Sequence, residues 1–378
     1  MNRLPPRRSL TRLASLAAIV FVAAPCLLLA GCADRSGRPA TAASSAAADD
    51  APPNDLKPAT AQDGGAGLQL LEQAARAGSD VSYQGVEMVS SMGVNGNTTM
   101  VANVWHRSGG NTLVQSASNG TAGSARPVSL SDDTDSQAPE GVLGLTGQLV
   151  ALLGSNYDLA YVGASSVDNR PALVVQAVRE DGTLAARFWL DSATKLPLRR
   201  EVYDSSARLI GEDVFIDLTV GFAAAQPAAA AASAVQQLTA VDVTQMRSRG
   251  WPVPGQLPGK LALFEAGDTT TSSGTVLDLG YSDGLFVVSI FVQRGDLAPK
   301  LTGYQKITLD GRDVYAGQPD QRSVTWAGQG FVFTVMADAP SATMDKAVDA
   351  LPYDAPPGFW GRLSNGFGRL ARLANPFH

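Results

Sequence analysis

Cysteine and histidine are nearly missing from this chain, with two of each in 378 residues. Cys26 and Cys32 both lie near the amino terminus, and His106 and His378 are far apart. No zinc site of ordinary ligand spacing can be assembled from them. His106 ends a strand-like run beside Trp105 and reads as a surface or turn histidine. There is no Gly-x-Ser-x-Gly elbow and no P-loop, and Gly141, Gly144 and Gly147 do not make a dinucleotide fingerprint. Acidic residues are spread over turns, and pairs such as Asp132-Asp133 and Glu212-Asp213 read as solvated faces rather than a catalytic couple. The expectation is a protein that binds rather than catalyses, with no cofactor and no metal. Charge is also sparse, at 17% of residues with a net of −6. A body this acidic lacks the basic footprint that nucleic-acid binding needs.

What is present begins with an address. Arg3, Arg7, Arg8 and Arg12 precede an apolar run from Leu13 to Ala30, which ends in Leu29-Ala30-Gly31-Cys32. This is the order of a secretory signal peptide closed by a lipobox, with small residues for the peptidase and a thiol to take the lipid. A plain membrane-spanning helix has no use for that ending. The sequence therefore predicts a signal peptide over 1–31, lipidation at Cys32, and attachment to the extracytoplasmic face of the cell membrane. Beyond the signal, 25 basic residues stand against 35 acidic ones. Neither a free thiol nor a disulfide remains there to brace the fold.

Residues 32–66 contain almost no large apolar side chain and read as a disordered tether, with a root-mean-square span of roughly 30 Å. From Gly67 the texture changes. Leu68, Leu71 and Ala75 recur at helical spacing, with Gly78 as a stop. Strand-like runs follow at 81–91, 98–106, 111–118, 157–163, 172–178, 184–190, 196–203 and 208–218, separated by Gly, Asn and Asp turns. A polar stretch at 119–139 reads as a long exposed loop, and 143–153 as a second helix. The fold class this predicts is α+β. Its main part, residues 67–222, is one large curved antiparallel sheet, closed or nearly so, with helices on its concave side. Phe188 and Trp189 are consecutive in one strand and so face opposite ways.

An alanine-rich stretch at 223–235 reads as a linker. The second unit, 236–352, opens with a helix at 241–249 and Trp251-Pro252-Val253-Pro254. Seven short strands between 261 and 337 and a closing helix at 344–351 make it a small α+β domain. Tyr281-Ser282-Asp283-Gly284 reads as a turn in which Gly284 takes a positive φ. The tail, 353–378, sets Phe359, Leu363, Phe367 and Leu370 near one helical stripe with Arg362, Arg369 and Arg372. That pattern fits either a basic helix lying on an anionic membrane or one packed on the domain, and Gly361, Gly366 and Gly368 weaken both.

Several of these segments resemble the MucB/RseB family of extracytoplasmic sigma-factor regulators. The likeness lies in Asn169-Arg170-Pro171-Ala172, Phe188-Trp189-Leu190-Asp191, Thr194-Lys195-Leu196-Pro197-Leu198-Arg199 and Gly211-Glu212-Asp213-Val214-Phe215. In the second unit it lies in Trp251-Pro252-Val253 and in Tyr281-Ser282-Asp283-Gly284-Leu285 leading into Val288-Ser289-Ile290-Phe291. The resemblance implies a LolA-like half-open β-barrel around an apolar cavity, followed by a small domain. It also implies a partner: the extracytoplasmic part of an anti-sigma factor or another single-pass membrane protein, with a lipid as a second ligand. Trp105, Phe188, Trp189, Tyr203 and Phe215 are the candidates for lining the cavity. Tyr281, Asp283 and Phe291 are the candidates for meeting the partner. A lipid or lipoprotein carrier is the alternative. The lipobox, long tether and basic tail depart from the family pattern.

Overall fold

The computed structural model describes residues 64–354, apart from 94–95, 111, 119–120, 123–125, 129–142, 222–235, 272–273, 298–300, 302, 318–322 and 338. Residues 1–63 with Cys32, the stretch 223–235 and the tail from 355 onward lie outside the described residues.

The chain enters through α1 (Gly64–Asp80), which begins inside the stretch expected as tether. Gly78 is not its stop; it lies buried within the last turn. Five strands follow: β1 (Tyr83–Gly93), β2 (Gly96–His106), β3 (Thr112–Ser118), β4 (Thr121–Ala122) and β5 (Arg126–Val128). The last two fall in the segment expected as a continuous loop, where each pairs with β3. After α2 (Gly147–Asn156) come β6 (Asp158–Val167), β7 (Arg170–Val178), β8 (Leu184–Asp191), β9 (Pro197–Tyr203) and β10 (Leu209–Val220). Thr146 explains why α2 starts later than apolar periodicity suggests. Its side chain accepts from the Leu149 N–H, an N-cap bond that fixes the helix start and leaves residues 143–146 outside the helix.

These ten strands form one antiparallel sheet in the order β4-β3-β2-β1-β10-β9-β8-β7-β6, with β5 beside β3. It is open rather than closed or nearly closed, because β4 and β6 are its two ends and do not pair. The turns have local causes. Asp191 Oδ1 accepts from the Ala193 and Thr194 N–H groups, and Thr194 Oγ1 accepts from Leu196, an Asx-type turn between β8 and β9.

Both faces of this sheet are apolar, which is why its strands carry so many hydrophobic residues. On one face α1 and α2 deliver Leu71, Ala74, Val150 and Leu153 against Val175 and Phe188. On the other, Val162, Val174, Trp189 and Leu198 form a separate cluster. Phe188 and Trp189 are 1% and 2% exposed, so alternation sends them to different cores and neither to solvent.

The second sheet holds nine strands: β11 (Gln236–Gln237), β12 (Gln256–Leu257), β13 (Leu261–Thr271), β14 (Gly274–Ser282), β15 (Val287–Arg294), β16 (Gln305–Leu309), β17 (Arg312–Ala316), β18 (Ser323–Gly328) and β19 (Phe331–Ala337). Its order is β11-β13-β14-β15-β19-β18-β17-β16, with β12 beside β13. Helices α3 (Ala240–Ser248) and α4 (Ser341–Asp349) flank it. A reciprocal capping box between Thr239 and Asp242 starts α3. Tyr281, Ile290, Trp326 and Phe333 are among the buried residues of its core, and Trp326 stacks on Phe333 with ring centroids 5.3 Å apart.

Candidate functional site

The two sheets are joined by the turn that follows β14. Asp283 Oδ1 accepts from the Leu285 and Phe286 N–H groups, which leaves Oδ2 free to reach the first unit. There the Tyr157 hydroxyl donates to Oδ2 at 2.6 Å, and Asn156 Nδ2 donates to the Asp283 carbonyl at 2.9 Å. Burial first, then the negative Asp283, push the Tyr157 hydroxyl well above the usual phenol range, so it stays a donor. Gly284 has φ +99°, and a Cβ there would stand 2.5 Å from the Leu153 nitrogen in α2. Leu285 joins the α1–α2 core itself. Peripherally, Lys260 pairs with Glu180 at 2.5 Å, an exposed bridge of small worth. The joint is thus a polar clasp with an apolar plug, and its groups have few partners left to offer a ligand.

A second focus lies where the end of α1 meets β1, β2 and β10. Tyr83, Leu143, Leu145, Leu196 and Phe215 line an apolar pocket whose free volume is about 10 Å³, room for about one water. Contrary to the surface reading, His106 is 1% exposed. Its Nδ1 lies 2.9 Å from Thr112 Oγ1 and its Nε2 lies 3.1 Å from the Ser79 carbonyl, so Nε2 is the donor. Its ring stacks on Tyr83 at 5.1 Å. Burial lowers the His106 value, so the folded protein holds it neutral while the unfolded chain still takes up a proton. This histidine's contribution is complete above the ordinary imidazole value of about 6.5 and falls away as pH drops below it. His106→Gln should therefore reduce the loss of urea resistance seen between about pH 7 and about pH 5. An unchanged slope in that variant would contradict the assignment.

The five cavity candidates do not converge. Phe215 lines the pocket. Trp105 is half-buried and alternates with Val104 and His106, so it faces the other way. Phe188 is core under α1 and α2. Trp189 lies beneath the Arg199 guanidinium at 5.1 Å, and Arg199 is held by Glu201 at 2.7 Å and Glu212 at 2.8 Å. The Tyr203 hydroxyl donates to Glu201 and its ring lies near Arg187. Glu212-Asp213 is not a solvated pair: Glu212 binds Arg199, and Asp213 is buried against Arg200 at 2.5 Å. Of the partner candidates, Tyr281 is fully buried and donates to the Pro254 carbonyl at 2.8 Å, and Asp283 sits in the joint. Phe291 is half-buried, in register with Asp278 and Thr334 on the face of the second sheet turned away from Ile290 and Val292.

Glu87, which no sequence motif marks, is 0% exposed in β1. The available signal was strand alternation, which puts it on the face of Tyr83. Its Oε1 accepts from the Leu143 N–H at 2.8 Å, while Oε2 is buried without a hydrogen-bond partner. Burial, then the nearby Asp213, raise its carboxyl value well above the usual range.

Two open antiparallel sheets over apolar cores, held together at one pinned joint, define a two-unit β-rich protein; among the described residues no group of three potential metal ligands occurs. Residues 66–238 match the family model described as the MucB/RseB N-terminal domain. That stretch, a little under half of the chain, is what is similar to the MucB/RseB family. It is 25% identical over 208 residues to the Sigma-E factor regulatory protein RseB of Salmonella typhimurium (strain 14028s / SGSC 2262), a match covering 54% of this chain and 61% of that relative. A crystal structure of MucB in complex with MucA(peri) is 23% identical, covering 76% of this chain and all of that one, with a TM-score of 0.44. The MucA/MucB complex structure from Pseudomonas aeruginosa is 22% identical over 77% of this chain and all of that one, again with a TM-score of 0.44.

Proposed function

We propose that this protein is a membrane-tethered, non-enzymatic regulator. It holds the extracytoplasmic part of an anti-sigma factor, or of a similar single-pass membrane protein, and so modulates an envelope-stress sigma factor. The observation that carries the reading is the family match over 66–238, supported by the relative whose name is sigma-E factor regulatory protein. Lipidation at Cys32 and the stretch after it would keep both units near the bilayer, raising their effective concentration toward membrane-bound partners. A lipid would act as a signal that displaces the partner, and the alternative is a lipid or lipoprotein carrier.

The test is capture of the lipidated protein from its own membranes. Enrichment of one single-pass protein encoded beside a sigma factor supports the reading. Lipid in fixed ratio with no such protein favours a carrier instead. Phe291 supplies a sharper arm, because it is the one partner candidate on an outer face. Phe291→Arg should weaken capture by about tenfold or more, as loss of an aromatic anchor does, while the melting temperature stays within a few degrees. Unchanged capture would remove Phe291 from the docking surface.

A further inference from the structure

Residues Tyr83, Gly85 and Glu87 alternate onto the face of β1 that meets the end of α1. A glutamine at 87 would accept the same Leu143 N–H without the cost of hiding an acid. The sequence keeps an acid there, wholly buried, with one oxygen bound to the chain before α2 and the other bound to nothing. The residue it holds, Leu143, begins a short strap, 143–146, that belongs to no helix or strand. Leu143 and Leu145 are each 6% exposed and form one wall of the apolar pocket.

We infer that Glu87 is a proton-responsive clasp, whose neutral carboxyl holds the 143–146 strap over the pocket and whose ionised form releases it. The groups around it decide the direction. Asp213 on β10 lies near enough to repel Glu87, and Arg200 on β9, which binds Asp213, offsets that only in part. Tyr83 on β1 and, behind it, His106 on β2 complete the titratable neighbours; the strap itself carries none. The Leu143 N–H and Arg200 favour the ionised acid, but burial and Asp213 outweigh them. Once charged, the carboxylate must reach water. Its sheet neighbours are fixed in ladders with β2 and β10, so the strap is the part that yields. Because the folded value is raised, the clasp is complete at low pH and is lost as pH climbs through that value. The strap runs directly into α2, whose last residue, Asn156, and C-cap, Tyr157, hold Asp283, so its release reaches the joint between the sheets.

The experiment is hydrogen exchange read by mass spectrometry on the full chain in mild detergent, comparing wild type with Glu87→Gln from about pH 5 to about pH 9. Comparison at equal pH cancels the intrinsic chemistry of exchange. Peptides covering 143–146 should exchange alike in both proteins at the acid end. Between the ordinary carboxylate range and the raised Glu87 value, the wild-type peptides should pull ahead by a ratio approaching about tenfold per pH unit, the limit for opening linked to one proton, and the ratio should level off above it. Asp213→Asn removes the charge that helps raise the Glu87 value, so the transition should move to lower pH. Equal exchange in wild type and Glu87→Gln throughout, or a transition that Asp213→Asn leaves in place, would overturn it.

Discussion

Gly284→Ala is expected to uncouple the two sheets. A left-handed backbone costs a residue with a Cβ about 1–2 kcal/mol, and here the added carbon also meets the Leu153 nitrogen at 2.5 Å and its Cγ at 2.7 Å. The nitrogen belongs to the α2 backbone and cannot swing aside as a side-chain tip would, so α2 or the turn must shift. Overpacking of that kind adds about 1–3 kcal/mol. Displacing the turn also draws Asp283 away from Tyr157 and Asn156 and leaves a desolvated carboxylate behind. Gly311→Ala is the control: its φ is +80° but no atom lies within 4 Å of the new Cβ, so it carries the backbone penalty alone. Calorimetry should show Gly311→Ala melting in the wild-type pattern and Gly284→Ala splitting into two transitions. A loss no larger than that of Gly311→Ala would mean that the two sheets are not held by this turn.

The sign of φ at Gly284 was legible in the sequence, because Ser-Asp-Gly between two apolar runs demands a turn. What the turn touches was not, because nothing in the composition of Leu153 or Tyr157 marks them as its partners. The same division runs through the molecule. The eight long strands of the first sheet were legible from alternation punctuated by Gly, Asn and Asp. The short strands β4 and β5 were hidden in polar residues, since their place comes from pairing with β3 and not from any pattern of their own. The start of α2 was misplaced by four residues because apolar spacing continues through Leu143 and Leu145, and only the Thr146 cap separates strap from helix. His106 and Glu87 show the deeper limit. Alternation reports which face a polar residue takes, but not whether a Ser79 carbonyl or a Leu143 N–H waits there to satisfy it.

Trp189→Ala tests the last of these gaps, the difference between an aromatic that lines a cavity and one that fills a core. Trp189 is among the largest fully buried side chains described. It packs with Val162, Val174 and Leu198 beneath the Arg199 guanidinium. Removing a buried indole from such a site costs about 3–5 kcal/mol through lost transfer energy and the void left behind. The ring also supports a charge: Arg199 is 16% exposed and gripped by two carboxylates, so it cannot collapse into the gap without abandoning them. Trp105→Ala offers the contrast, since that ring is half-buried on the sheet face away from Val104 and should cost roughly 1–2 kcal/mol on exposed-area grounds. Urea unfolding monitored by circular dichroism gives both numbers on one scale. A Trp189→Ala loss below about 1 kcal/mol would mean that the site collapses freely or already stands open, as a ligand cavity would, and the two-core description of the first sheet would fall with it.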